Sequence, residues 1–303
     1  MKKKVLPNYL TILVYILLIV LFIEIGLRFY IAPSLKKLPF MLSNIKGVPY
    51  VEVDFNDFDI EKNKPRIIVI GDYISIHKSF KEKKNYPEVL ESKLNYTFEI
   101  INTGALFYSL PEEMNLLKNK ALEFNPDIVV IGYIFNDIDY NNPQNAIRRL
   151  KIKNDLYSFK ILSPLILKEI RFKTKLRNRE KYIYSNKNSI MDDYYDKYNN
   201  PKHISILRSH LNELKEIQSQ RNVKIIFVII PIFYDFKDKR NNAINNVVYG
   251  MCIENQLICI DMLKVFKSHR VNDVKENDGD IWHPNELGIE LIADEIYKNM
   301  INS

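Results

Sequence analysis

The chain has 303 residues, 47% of them hydrophobic and 27% charged, which is enough for one large domain with a sizeable core. Its formal net charge of +7 is uneven: residues 1–37 carry +5 and residues 148–202 carry +9, leaving −7 for the rest. That distribution excludes a uniform nucleic-acid-binding surface. Two cysteines, Cys252 and Cys259, are too few for a disulfide framework or a metal site.

The first element is apolar. Lys2, Lys3 and Lys4 precede a run from Val5 to Ile23 without a single charge. At a helical rise of 1.5 Å per residue such a run spans roughly 28 Å, about the hydrocarbon thickness of a bilayer. It continues into "EIGLRFYIAP" with no small-residue cleavage site, so an uncleaved transmembrane anchor over about residues 5–27 is expected, within a segment 1–33. The lysines predict a cytoplasmic N-terminus and an extracytoplasmic remainder, attached to the cell membrane by a single pass. Glu24 and Arg28, four apart, can satisfy each other on one helix face.

Residues 34–64 read as a polar connector ending in "EKNKP". From about residue 65 to 303, strand and helix patterns alternate. "RIIVI", "FEIIN", "DIVVIGY", "KIIFVII" and "LICID" are short Ile/Val-rich runs, as expected of strands buried on both faces. Between them lie the helical patterns "YPEVLESKL", "PEEMNLLKNKALEF", "HISILRSHLNELKEIQSQ" and "NNAINNVVYGMCIEN". The last helix, in "PNELGIELIADEIYKNMI", is expected to start with Pro284 at its first position. The pattern predicts a three-layer α/β/α sandwich around a parallel sheet of about five strands. Cys259, inside "LICID", reads as a small buried hydrophobe rather than half of a disulfide. The basic, Tyr-rich segment at about 143–200 breaks the alternation and reads as a solvated insertion over one end of the sheet.

In an open parallel sheet, ligands bind outside the carboxyl ends of the strands. There the sequence puts "GDY" after the first strand, "NTGALFYS" with Gly104 after the second, and "GYIFNDI" with Asn136 after the third. It puts "DGDIWHPN", with Asp280 and His283, before the last helix. Each piece alone is weak, because "ND" is a common turn dipeptide and a histidine before a helix is commonly a cap. Together and in this order, over about residues 64–303, they resemble the SGNH or GDSL hydrolase superfamily. "YPEVLESKL", "FEIINTGALFYS" and "NPDIVVIGYIFNDI" resemble the text that links the family's blocks.

The resemblance implies an acyl-transfer site. Gly104 and Asn136 fall where the family has its oxyanion donors, and Asp280 and His283 where it has the base and the carboxylate that orients it. Donors aimed at a developing oxyanion and a base held in one tautomer are what ester chemistry needs. The departure is Tyr73, which occupies the position of the nucleophilic serine; His77 stands where the family often has glycine. A tyrosine hydroxyl lies several ångströms farther from the backbone and overshoots a carbonyl held by Gly104 and Asn136. Ser75 is the nearest substitute hydroxyl, and needs a reshaped turn to reach His283.

Two functions follow as expectations. One is a pseudo-hydrolase that keeps the cleft without serine chemistry and binds an acylated envelope glycan or a membrane acyltransferase partner. The other is an active ester hydrolase or O-acyltransferase using Ser75, Tyr73 or a water activated by His283. Anchored relatives in this superfamily often add or remove O-acyl groups on cell-surface polysaccharides, so the resemblance implies that substrate class. A flavodoxin-like nucleotide binder is disfavoured because no Gly-rich phosphate loop is present. No cofactor, metal or nucleic acid is expected.

Overall fold

The computed structural model describes residues 59–76, 84–105, 108–139 and 188–301. Residues 1–58, with the expected anchor and most of the connector, lie outside this set, as do His77 and residues 140–187 of the insertion. Among the described residues no helix is long and apolar enough to cross a membrane.

Five strands form one parallel sheet: β1 (Arg66–Gly71), β2 (Glu99–Asn102), β3 (Ile128–Ile134), β4 (Lys224–Ile230) and β5 (Ile258–Asp261). All five coincide with the apolar runs to within a residue. The spatial order is β2-β1-β3-β4-β5. The sheet therefore starts one strand in from an edge, steps to that edge with β2 and crosses to the other side of β1 with β3. The topological switch point lies between β1 and β3, and their carboxyl ends open the crevice. Gly71 pairs with Gly132 at that edge.

Helices cover both faces. In chain order they are α1 (Tyr73–Ile76), α2 (Tyr86–Lys93), α3 (Leu110–Asn119), α4 (188–199), α5 (Pro201–Arg221), α6 (Lys239–Glu254), α7 (Met262–Phe266), α8 (Val271–Val274) and α9 (Glu286–Ile301). Alternate strand residues point to opposite layers. Ile68, Ile70, Val129 and Phe227 pack under Leu117 of α3, Leu211 of α5 and Val248 of α6. Ile67, Val69, Val130 and Val228 pack under Leu90 of α2, Phe266 of α7 and Ile292 of α9. Each fully buried Ile, Leu or Phe contributes about 1.5–3 kcal/mol, so these two cores account for the Ile/Val-rich strands.

Four expectations need correction. The stretch "PEEMNLLKNKALEF" is not one helix: α3 stops at Asn119, Lys120 leaves helical geometry at φ −144 and ψ −56, and a 3-10 turn follows over Ala121–Phe124. Pro284 does not start α9. It bridges to Lys275, and the Asn285 side chain caps the helix by accepting from the Gly288 amide at 3.0 Å. The end of the insertion is not solvated decoration, because Met191, Tyr194 and Tyr198 of α4 enter the first core. Finally, Cys252 and Cys259 form a disulfide. Cys252 lies in the last turn of α6 and Cys259 sits on the adjoining strand, so a helix–turn–strand with a sequence separation of seven brings their Cα atoms to 6.0 Å. Closing so short a loop is worth about 2–3 kcal/mol.

Candidate active site

The turn after β1 carries Asp72 and Tyr73. Asp72 accepts from the Ile74 amide at 3.0 Å, and also from the Tyr73 amide and the Asn136 side chain. These bonds tighten the turn into α1 and tie the end of β1 to the turn after β3. Asn136 stands in a 3-10 turn over Phe135–Ile138, whose start is fixed by Asp137 accepting from the Ile134 amide at 2.6 Å. The switch point thus accounts for the meeting of Asp72 and Asn136, 64 residues apart in sequence.

His283 arrives from the far end of the chain. Its loop is tied down by three backbone bonds: Phe233 N–H to Ile281 O at 2.8 Å, Glu276 N–H to His283 O at 3.0 Å, and Asn285 N–H to Val274 O at 3.0 Å. Asp280 holds the ring, its Oδ2 lying 2.5 Å from His283 Nδ1, while its Oδ1 accepts from the Trp282 and His283 amides at 2.8 and 3.0 Å. Burial alone would push the Asp280 carboxyl up. The bond and charge of His283, with the two amides, outweigh burial and hold it below the ordinary carboxylate value. The cap of α9 being Asn285, His283 is left as a ring held by a carboxylate.

Tyr73 and His283 meet. Their ring centroids are 4.4 Å apart, with the planes tilted by 59°. The charge of His283 also acts on Asp72, which places Asp72 in the same cluster. On the rim, Trp282 packs edge-on against Tyr194 of α4 at 5.7 Å.

Gly104 and Ser75 are positioned by a residue the motifs did not mark. The Asn102 side chain donates to the Ser75 carbonyl at 2.8 Å and accepts from the Gly104 amide at 3.1 Å, so it clasps α1 to the loop after β2. The Gly104 N–H is therefore engaged by Asn102. A Cβ at Gly104 would come within 2.8 Å of the Ser75 Cβ, so only glycine lets the two segments approach. Ser75 is 1% exposed and turned inward, its Oγ 2.9 Å from the Tyr86 hydroxyl and facing Gly71 and Gly132. Its hydroxyl is thus placed toward the sheet ends rather than toward His283. Asn102 could have been suspected from its place at a strand end; nothing in the sequence marked Tyr86.

Beneath the turn lie two further acids. Glu113, in the first turn of α3, and Asp137 are each 1% exposed. Burial pushes both well above the ordinary carboxyl range, and the neighbouring Asp72 charge adds to the effect. Asp72 itself is pushed up to about 6 by burial, against the pull of its hydrogen bonds and of His283. Among the described residues no group of three or more His, Cys, Asp or Glu is placed to hold a metal ion.

No model of a known protein family matches the chain, and no curated protein does. Solved structures do. A lipase/acylhydrolase from Enterococcus faecalis is similar over 78% of this chain and 96% of its own, at 14% identity and a TM-score of 0.49. An acetylxylan esterase from Geobacillus stearothermophilus covers 78% of this chain and 94% of its own, at 13% identity and a TM-score of 0.45. A protein assigned to the lipolytic G-D-S-L family, from Desulfitobacterium hafniense, covers 78% and 99%, at 12% identity and a TM-score of 0.46. The motifs read from the sequence resemble that same superfamily. What this chain's own geometry supplies is a histidine held by a carboxylate, an aromatic ring packed against that histidine, and an amide side chain bonded to the aspartate that precedes the aromatic residue.

Proposed function

We propose that this chain is a membrane-anchored, extracytoplasmic GDSL/SGNH-type protein that keeps a ligand cleft and has lost serine chemistry. Its ligand is an O-acyl ester of a cell-envelope glycan, or a membrane acyltransferase that handles one. The observation that carries the reading is the Tyr73 ring lying 4.4 Å from the His283 ring while the Asp280–His283 pair is kept. The base is oriented, but the group it faces is a phenol on a long side chain instead of a short alkoxide precursor. Two features add support. The Gly104 amide and the Asn136 side chain both bond within the protein, and the Ser75 hydroxyl is buried against Tyr86.

An extracytoplasmic location is supported by the charge-free run after Lys4 and by the Cys252–Cys259 disulfide, since such bonds persist in oxidising compartments. The domain arrangement that goes with it is an anchor at 1–33, a connector at 34–64 and the hydrolase-like domain from 65. Protein taken from membranes and alkylated under denaturing conditions should carry no label on either cysteine before reduction and two after it. Full labelling before reduction would place the domain in the cytoplasm.

The function is tested on the unmodified protein with a fluorophosphonate probe and a small activated ester. We expect no labelling and no turnover above background. Turnover that survives Ser75→Ala but is lost with His283→Ala would overturn the pseudo-hydrolase reading in favour of Tyr73 or a water activated by His283. Turnover lost with Ser75→Ala would make Ser75 the nucleophile.

A further inference from the structure

Glu113 is a buried acid with nothing to bond. Neither of its carboxyl oxygens meets a hydrogen-bond partner, and the same is true of Asp137 Oδ1 and Asn136 Oδ1. An unpartnered buried carboxylate costs several kcal/mol, so such a group is retained only where it acts in another form. The acids that act on one another here come from three elements: Asp72 after β1, Glu113 in α3 and Asp137 after β3. Like charges in so dry a place repel strongly, and the carboxyl best supplied with donors takes the charge. That carboxyl is Asp72, which has the Ile74 and Tyr73 amides, the Asn136 side chain and the charge of His283. Asp137 has one amide, and Glu113 has none.

We propose that Glu113 is a positioning residue of this site: an uncharged acid beneath the β1 turn that leaves the one carboxylate on Asp72, which in turn holds Asn136. The role rests on the reading of Asn136 as a donor to an acyl oxygen. The groups that face Glu113 are Asp72, Asp137, the neighbouring Glu112 of α3, and the hydroxyls of Tyr86 and Tyr108. None of these is a cation, so among the described residues no neighbour offsets a charge on Glu113. Were Glu113 to ionise, the repulsion would be relieved by protonating or displacing Asp72, and the Asn136 side chain would lose its acceptor.

The linkage has a definite sign. A carboxyl raised in the folded state stabilises the fold most at pH below its ordinary range, and that contribution is lost as the pH climbs through the folded value. For Asp72 the loss runs through about 6, and for Glu113 and Asp137 it extends higher.

Two readouts test the role. By infrared spectroscopy at neutral pH, the protein should show the carbonyl band of a protonated buried acid, and Glu113→Gln should weaken it. In Tyr73→Ser protein, fluorophosphonate labelling should fall on the alkaline side as Glu113 ionises. Adding Glu113→Gln, a neutral isostere, should leave labelling near pH 6 within about threefold and extend the plateau by about one pH unit or more. Glu113→Ala should lower labelling at every pH. An infrared band unchanged by Glu113→Gln would overturn the proposal, as would superimposable pH profiles for the two proteins. If Tyr73→Ser gives no labelling at all, the proposed function fails, and the infrared band still decides the state of Glu113.

Discussion

Tyr73→Ser is expected to turn a protein that ignores fluorophosphonates into one that is labelled on the order of 10²–10³ times faster, at the introduced serine. The argument is geometric. A serine at this position carries its hydroxyl on one carbon, at the turn that Asp72 already holds through the Ile74 and Tyr73 amides. Removing the phenol ring clears the space in front of His283, whose other nitrogen is engaged by Asp280 at 2.5 Å. The histidine can then take the serine proton as the oxygen attacks phosphorus and fluoride leaves. The gain should stop short of a full triad, because the Gly104 amide is bonded to Asn102 at 3.1 Å and must release it to meet an oxyanion. A single oxyanion donor is worth about 10²–10³ in rate, which sets the size of that shortfall. Tyr73→Phe should give no labelling, since it keeps the ring and adds no nucleophile. His283→Ala on top of Tyr73→Ser should return labelling to background. A Tyr73→Ser protein that folds normally yet stays unlabelled would mean that the cleft lacks the rest of an acyl-transfer site, and the pseudo-hydrolase reading would fall with it.

Much of the sheet was legible because strands covered on both faces are rich in apolar residues, and β1, β3 and β4 are buried along almost their whole length. The meeting of Tyr73 with His283 was legible for a related reason. Strand order converts sequence position into position along one edge, so Tyr73, Asn136 and His283 could be placed at the same edge from their places after β1, after β3 and before α9. The parts that were not legible depend on which side chains face each other once helices have docked. Cys259 sits in an apolar strand and looks like any small core residue; only the docking of α6 against β5 puts Cys252 opposite it. Met191, Tyr194 and Tyr198 recur at helical spacing and were a detectable core signal, but the basic charge of the segment that precedes them pointed to solvent. Pro284 obeys a local rule for helix starts that the bridge to Lys275 overrides. Asn102 and Glu113 illustrate the same limit, because their importance lies in bonds made, or not made, across three separate loops.

Arg66→Ala is expected to lower the unfolding free energy by about 3–5 kcal/mol, a loss as large as that from truncating a fully buried core aromatic. An arginine opening a buried strand runs against the usual preference of that residue for solvent, and its side chain is only 1% exposed. It is tolerated because four contacts use its donors: Nε to Glu99 at 2.6 Å, and the guanidinium nitrogens to the carbonyls of Phe124 at 2.6 Å, Asp59 at 2.7 Å and Ile60 at 3.3 Å. The guanidinium also lies 5.9 Å from the Phe124 ring centroid. One cation therefore fastens the end of the connector, the edge strand β2 and the turn before β3 to the first residue of β1. Truncation strands three carbonyls, one of them fully inside the protein, and cuts the connector loose from the sheet. Arg66→Lys should recover little, since three donors on one nitrogen cannot reproduce a planar fork aimed at separated oxygens. Glu99→Gln, by contrast, should cost no more than about 1 kcal/mol, because the Glu99 side chain is 31% exposed and water can replace part of what it loses. Domains of this kind are stable by only about 5–15 kcal/mol, so Arg66→Ala should shift the urea midpoint far toward zero with an unchanged slope. A loss below about 1 kcal/mol would show that the β1–β2 ladder and the Lys62 contacts to Asn125 and Asp127 suffice to hold the connector and β2, with the arginine a passenger in the gap between them.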